Sequence, residues 1–283
     1  MSSVFPHEVP EGDLRTLLIC HDGARLHQEG LARWLASFST LSGILVLHED
    51  RGTLLRRVRR EVRRAGLLGF ADVLAFRAYY TLLLGRHDRA WEEHALRDVT
   101  RRYPPVPAES RVAHDSSPNS ASAERFIHEC APDMTIALCK NLLAERIWGI
   151  PAMGTFVMHP GICPEYRNAH GCFWALANDD LGNVGMTLLK IDRGVDTGPV
   201  FGYFRCAYDE IADSHAVIQS RVVLDNLAQI RSRLVEIARG RARPIGTDGR
   251  PSAVWGQPRL THYLRWKRNA WRRRRAGDRA GVS

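Results

Sequence analysis

LRTLLICHDGARLHQEGLARWLASFSTLSGILVLHED, residues 14–50, decides the fold class. LRTLLICH at 14–21 is a short apolar run closed by Asp22-Gly23, after which Leu31, Leu35 and Phe38 recur at helical spacing. ILVLHED at 44–50 is a second apolar run. Strand, helix and strand in that order imply a parallel sheet with a crossover helix. No GxGxxG follows the first strand, so a dinucleotide is not the expected ligand.

Working outward, residues 51–98 read as a helical insertion, Arg-rich, with Leu54, Leu55, Val58 and Val62 turned inward. Its stretch GLLGFADVLAFRAYYTLLLG, 66–85, contains Asp72 and Arg77, and its apolar residues are expected to be buried by helix packing rather than to face a membrane. Pro and Ser punctuate 103–123, a loop around a short strand. A helix is expected near 122–130, then a buried strand, MTIALC, at 134–139. GTFVMH (154–159), VGMTLLKI (184–191) and PVFGYFR (199–205) are three more strands, with GCFWALAN a helix between the first two. Residues 214–239 read as one helix, with Val223, Leu227, Ile230, Leu234 and Ile237 on one stripe. The expected fold is α/β with a Rossmann-like, mostly parallel sheet. An α/β domain covers 1–205, and 206–283 adds a helix, a Pro/Gly loop and a basic tail.

A chain of 283 residues, 45% of them hydrophobic, can bury a full core. Its six cysteines contain no CxxC pair and read as core thiols suited to a reducing compartment. MSSVFPHEVPEGD at the start lacks signal-peptide character, so the cytoplasm is the expected location. Of the net charge of +9, most lies between Arg259 and Arg279, where nine Lys/Arg stand against one acid, Asp278. Such ends are usually solvated, and weak peripheral contact with anionic surfaces is the partner role this one suggests. Without a nucleic-acid-binding motif, nucleic acid is not an expected partner.

His159 ends a strand and is followed by Pro160-Gly161, which turns the chain and aims the imidazole at a cleft. Imidazole is suited to proton transfer near neutral pH, and ligands in open α/β sheets bind beyond the strands' carboxyl ends. Asp196 lies in the tight loop Gly194–Pro199, where a carboxylate can orient that ring. Taken singly, a structural histidine and an Asx-turn aspartate explain the same residues. His170 either faces a substrate or caps a helix, and Trp174 reads as core.

The longer strings GTFVMHPGICPEYRNAHGCFWALANDD and VGMTLLKIDRGVDTGPV resemble the signature of the folate-dependent formyltransferases. In that signature a strand supplies Asn-x-His, a Pro turn leads to P-x-Y-R-G and an aromatic-bearing helix, and a later loop ends in Asp-Thr-Gly-Pro. The resemblance is weak from about residue 14 and strong over 132–205. The HG-(aromatic)-WAL segment is closest to members that formylate small amines, such as hydroxyornithine formyltransferases, more than to those acting on methionyl-tRNA.

The resemblance implies a formyltransferase-type fold and direct transfer from 10-formyltetrahydrofolate to a small amine or amino-sugar, with no metal and no covalent enzyme intermediate. His159 and Asp196 match the residues that handle protons and charge. The pterin is expected against Lys140, Asn141, Leu142 and Leu143 and against the loop holding Asp192 and Val195, with Thr187 on the neighbouring strand. Asn168 and His170 fall on the substrate side. Val157 stands where the family has the Asn that holds the oxyanion, and Asn168 where Gly is common. Three readings follow. Asn168 or Asn141 supplies the donor instead, the scaffold performs a different one-carbon or acyl transfer, or the chain binds ligand without turnover. For Asn168 itself the plainer explanation is a turn residue at positive φ.

Overall fold

The computed structural model describes residues 14–48 and 51–280, the side chains of 51–57 and 277–280 excepted. The N-terminal 1–13 reading, the inward placement of Leu54 and Leu55, and Asp278 and Arg279 of the tail therefore lie outside the described residues.

Continuous apolar character makes β1 (Arg15–His21) a strand covered on both faces, with Leu17, Leu18, Ile19 and Cys20 all buried. It pairs in parallel with β2 (Thr40–Leu47) on one side and β4 (Met134–Leu138) on the other. β3 (Arg111–Asp115) is the parallel edge beyond β2, and β5 (Gly154–His159) follows β4 in parallel. β6 (Arg167–Asn168) joins a separate two-stranded pair with β9 (Val254–Trp255). β7 (Met186–Lys190) and β8 (Val200–Phe204) close the main sheet antiparallel, giving the order β3-β2-β1-β4-β5-β7-β8. β2 starts four residues before the expected run, because Thr40–Gly43 also pair with β1 through a bulge.

Helices cover both faces. A π-helical turn, Leu26–Leu31, runs into α1 (Ala32–Ala36). α2 (Arg51–Tyr79), a second π-helical turn (Tyr80–Leu84) and α3 (Gly85–Arg102) form the β2–β3 crossover. α4 (Ala121–Cys130) begins where the Ser120 hydroxyl accepts the Ala123 N–H and ends at Ala131 in the left-handed region. With α5 (Glu145–Trp148) it covers Leu17, Ile19, Leu45 and Leu47. Against the opposite face pack α6 (Gly171–Ala177), α7 (His215–Leu224), α8 (Leu227–Ala238) and α9 (Leu260–Ala280), in one cluster that runs from Trp34 to Trp266.

Three expectations change. The 214–239 helix is two, broken at Asp225-Asn226, because the buried Asn226 amide donates to the carbonyls of Arg205 and Val222 and competes with the helix ladder. The 66–85 stretch is not buried as a core helix. Gly66, at φ 70°, breaks the helix. Beyond it only Val73, Phe76 and Gly85 are buried, while Leu67, Leu68, Leu74, Leu82 and Leu83 are exposed. A helix of this composition has more apolar surface than its one packed stripe can cover. One helical run, Val58–Arg102, is long and apolar enough to cross a membrane, with 11% of its apolar window buried.

The third change concerns the basic end, which is docked rather than simply solvated. Trp266 is fully buried among Tyr263 and Ala270, and its indole N–H donates to Glu210. Arg273 pairs with Asp179 and Glu210. Lys267 donates to the carbonyls of Glu210, Ile211 and Asp213, and burial pulls its ammonium pKa down to about 8. Removing the residues after 275 should leave thermal unfolding unchanged, whereas Trp266→Ala should cost about 3–5 kcal/mol in denaturant titration, the usual loss for a buried tryptophan.

Candidate active site

The chain runs outward from β1 to β2 and β3, then returns to place β4 on the other side of β1, so a crevice opens at the carboxyl ends of β1 and β4. His21 ends β1 there, and its Nε2 accepts the Lys140 N–H at 2.9 Å. The loop after β4 is braced by Asn119, which donates to the Leu142 carbonyl (2.8 Å) and accepts the Ala144 N–H (2.7 Å). Leu142 is exposed, whereas Leu143 packs in the cluster that also touches Ile191. Arg193 pairs with Glu145, so the 140–143 and 192–196 loops are neighbours.

His159 ends β5 and is buried. Its Nε2 donates to the Tyr166 carbonyl at 2.7 Å, since a carbonyl can only accept. Its Nδ1 lies 3.4 Å from Asp196 Oδ2, and the same oxygen accepts the Asn168 N–H at 2.7 Å. The Asn168 side chain donates to the Trp255 carbonyl. The turn that brings these groups together depends on two glycines. A Cβ on Gly171 would stand 2.4 Å from the Gly161 Cα, and one on Gly161 would stand 2.6 Å from the Tyr166 carbonyl oxygen. Asn168, His170 and Asp196 all hold positive φ, at 72°, 59° and 51°. Such backbone strain in non-glycine residues concentrates at functional sites.

Other expected site residues take different places. Thr187 is fully buried, donating to the Gly161 carbonyl (2.6 Å) and accepting the Cys163 N–H (2.9 Å), so its hydroxyl holds the Pro turn. Asp192 shapes its own loop by accepting from the Gly194 N–H and the Thr197 hydroxyl. The Val195 carbonyl accepts from Arg167 Nη1 at 3.1 Å. Val157 packs with Cys163, Leu189 and Val200 and brings no polar atom. His170 neither caps α6 nor lies on the open surface. Its ring sits 5.8 Å from that of His215, and its Nδ1 has no hydrogen-bond partner among the described residues. Sequence reasoning missed His21, although it ends a strand before Asp-Gly as His159 ends one before Pro-Gly. It also missed Asn119 and Trp255, which carry no local signal.

Burial, with help from Lys140, Arg77 and His159, lowers the His170 pKa to about 4. Burial, His21 and Lys140 lower His27 to about 4 as well, and burial beside His170 and Lys267 puts His215 well below the ordinary value. An unfolded histidine takes up its proton near pH 6.5, while folded His170 and His27 resist until about pH 4 and His215 is held well below the ordinary value. The unfolded state therefore binds more protons in that window, and stability falls as pH drops through it. Thermal unfolding followed from about pH 7 to pH 4 should show this decline, and His215→Gln should flatten it.

A Rossmann-like sheet with a His–Asp contact at its carboxyl edge is the class that fold and site define. No family profile matches the chain. It is 33% identical over 121 residues to the methionyl-tRNA formyltransferase of Bacteroides fragilis, covering 42% of this chain and 35% of that protein. The chain thus spans about a third of the length of the curated relatives it matches. In fold it is similar to a sugar N-formyltransferase from Shewanella sp. (TM-score 0.50, 12% identity, 86% of this chain and 76% of that one). A phosphoribosylglycinamide formyltransferase from Anaplasma phagocytophilum is equally similar (TM-score 0.50, 15% identity, 83% and 96%). The chain is thus similar in sequence to methionyl-tRNA formyltransferases over part of its length, and it shares its fold with sugar and phosphoribosylglycinamide formyltransferases.

Proposed function

We propose that the chain transfers a formyl group from 10-formyltetrahydrofolate to a small amine or amino-sugar acceptor. The observation that carries this reading is the His159–Asp196 contact at the carboxyl edge of β5, beside the loops at 140–143 and 192–196. In the reaction the acceptor nitrogen attacks the formyl carbon, the bond from that carbon to N10 breaks, the acceptor loses one proton and N10 gains one. Asp196, the less buried of the pair, receives the acceptor's proton, and its protonated carboxyl then donates to His159 Nδ1, which is left as the ring's acceptor because Nε2–H is held by the Tyr166 carbonyl. Saturating a folate analogue at about 100 Kd should raise stability by about 2.7 kcal/mol. His159→Ala and Asp196→Asn should each remove most formyl transfer from an amine panel while the far-UV circular dichroism spectrum shows the fold retained, with a loss of about 1–3 kcal/mol from the buried hydrogen bonds. Near-normal turnover in either variant would sink the assignment.

The oxyanion donor missing at Val157 is assigned in this reading to Arg167. Its Nη1 is spent on the Val195 carbonyl, but its buried Nε has no hydrogen-bond partner among the described residues. The Asn168 amide is a weaker candidate because it is engaged by Trp255. Loss of one such donor slows acyl transfer by about 10²–10³, which is the effect expected of Arg167→Met on kcat. Val157→Asn should give no gain and cost roughly 1–3 kcal/mol, since it puts an amide among Cys163, Leu189 and Val200. A large gain in Val157→Asn with no loss in Arg167→Met would instead mean an unreplaced donor. A second reading, folate binding without turnover, draws on Val157 and predicts the stability shift with no formylated product.

A further inference from the structure

We propose that the exposed face of the helical run 67–84, together with the outer face of α9, is a docking surface for an anionic lipid bilayer, on which the protein lies without spanning it. The helix after Gly66 carries two apolar stripes. The inner one is filled: the Phe76 ring lies 5.7 Å from Phe173, 5.4 Å from His215 and 5.4 Å from Tyr263. The outer one, Leu67, Ala71, Leu74, Ala78 and Leu82, recurs at helical spacing and is exposed throughout. Leu67 and Leu68 are 79% and 89% exposed, Leu82 and Leu83 76% and 64%. The two charged residues of this run do not interrupt the outer stripe: Asp72 is engaged by the Thr261 backbone N–H and hydroxyl, and Arg77 flanks it.

α9 packs beside α2 and repeats the pattern with more charge. Leu264, Arg268, Trp271, Arg272 and Arg275 share its exposed face. On the other flank, Arg59, Arg60 and Arg63 are exposed just before the Gly66 break. Leucines flanked by arginines and a half-exposed tryptophan match a bilayer boundary, where the apolar groups enter the acyl layer and the cations stay among anionic headgroups. A transverse orientation is incompatible with the folded core, because Val73 and Phe76 would have to leave it.

Charge separates this occupant from the others. Nucleic acid would satisfy the arginines and leave Leu67, Leu68, Leu82 and Leu83 in water. A second copy meeting the same face about a two-fold axis would set the arginines of one chain against those of the other.

The test is co-sedimentation of the full chain with sucrose-loaded vesicles of phosphatidylcholine alone, or of an equimolar phosphatidylcholine–phosphatidylglycerol mixture, at low and high salt. Binding to the mixed vesicles, weak binding to the neutral ones, and weakening by salt are expected. Leu67→Ser/Leu68→Ser/Leu82→Ser/Leu83→Ser should reduce vesicle binding by about tenfold or more with an unchanged circular dichroism melt, since these side chains touch little of the protein. Arg268→Glu/Arg272→Glu should reduce it and abolish the salt dependence. Absence of binding to mixed vesicles overturns the proposal. So does undiminished binding by the serine variant, which would mark a general polyanion site, to be checked with RNA. A self-association seen by sedimentation velocity that the serine variant loses, without lipid binding, assigns the face to a second copy and overturns it as well. Each readout is independent of formyl transfer, so failure here leaves the proposed activity standing.

Discussion

The close approach of two backbones, at Gly161 and Gly171, is the constraint on which the site depends. Because neither residue carries a Cβ, the chain leaving β5 folds back on itself within a single turn. That fold brings the Tyr166 carbonyl to His159 Nε2 and the Asn168 N–H to Asp196, and it starts α6 where the Cys172 N–H can reach the Pro160 carbonyl. Thr187 ties the same turn to β7 from below. Any side chain at either glycine would push these groups apart by tenths of an ångström or more, a displacement that catalytic geometry does not tolerate.

The site is held from beneath by apolar packing and from the side by aromatic rings. Trp174, on α6, stacks on Trp255 and donates its indole N–H to the Gly256 carbonyl. Trp255 in turn donates to the Glu165 carbonyl and accepts from Asn168. The strand pair β6–β9 therefore links the Pro/Gly-rich loop before α9 to the turn that carries His159. The region after 206 contributes to the walls of the site, although its own sequence contains nothing that points to chemistry.

Much of the fold was legible because its strands are apolar runs that end in turn residues. β4, β5, β7 and β8 lie where MTIALC, GTFVMH, VGMTLLKI and PVFGYFR placed them, and α4 and α6 follow the expected bounds. What failed was whatever depended on partners distant in sequence. The break at Asn226 answers to the Arg205 carbonyl, and the docking of α9 answers to Glu210 and Asp179, neither of which periodicity can foresee. The 66–85 stretch shows the opposite limit. Its hydropathy gave the amount of apolar surface correctly, but the number of stripes that find a partner is a property of the assembled core. At the site, the pairing of His159 with Asp196 was expected from the resemblance of the longer strings and not from spacing, whereas the place of the Thr187 hydroxyl depends on which polar atoms are already spent.

The seating of α9 also sets how the chain can reach this state. Trp266 lies in the same cluster as Trp34, and Trp34 already depends on α8 through its hydrogen bond to the Leu227 carbonyl. Contacts between segments so far apart in sequence raise the contact order and slow the search for the native arrangement. During synthesis, β1 and β2 emerge long before the helices that cover one of their faces. Until α8 and α9 follow, at roughly 5–20 residues per second, that face is open to water and to chaperones.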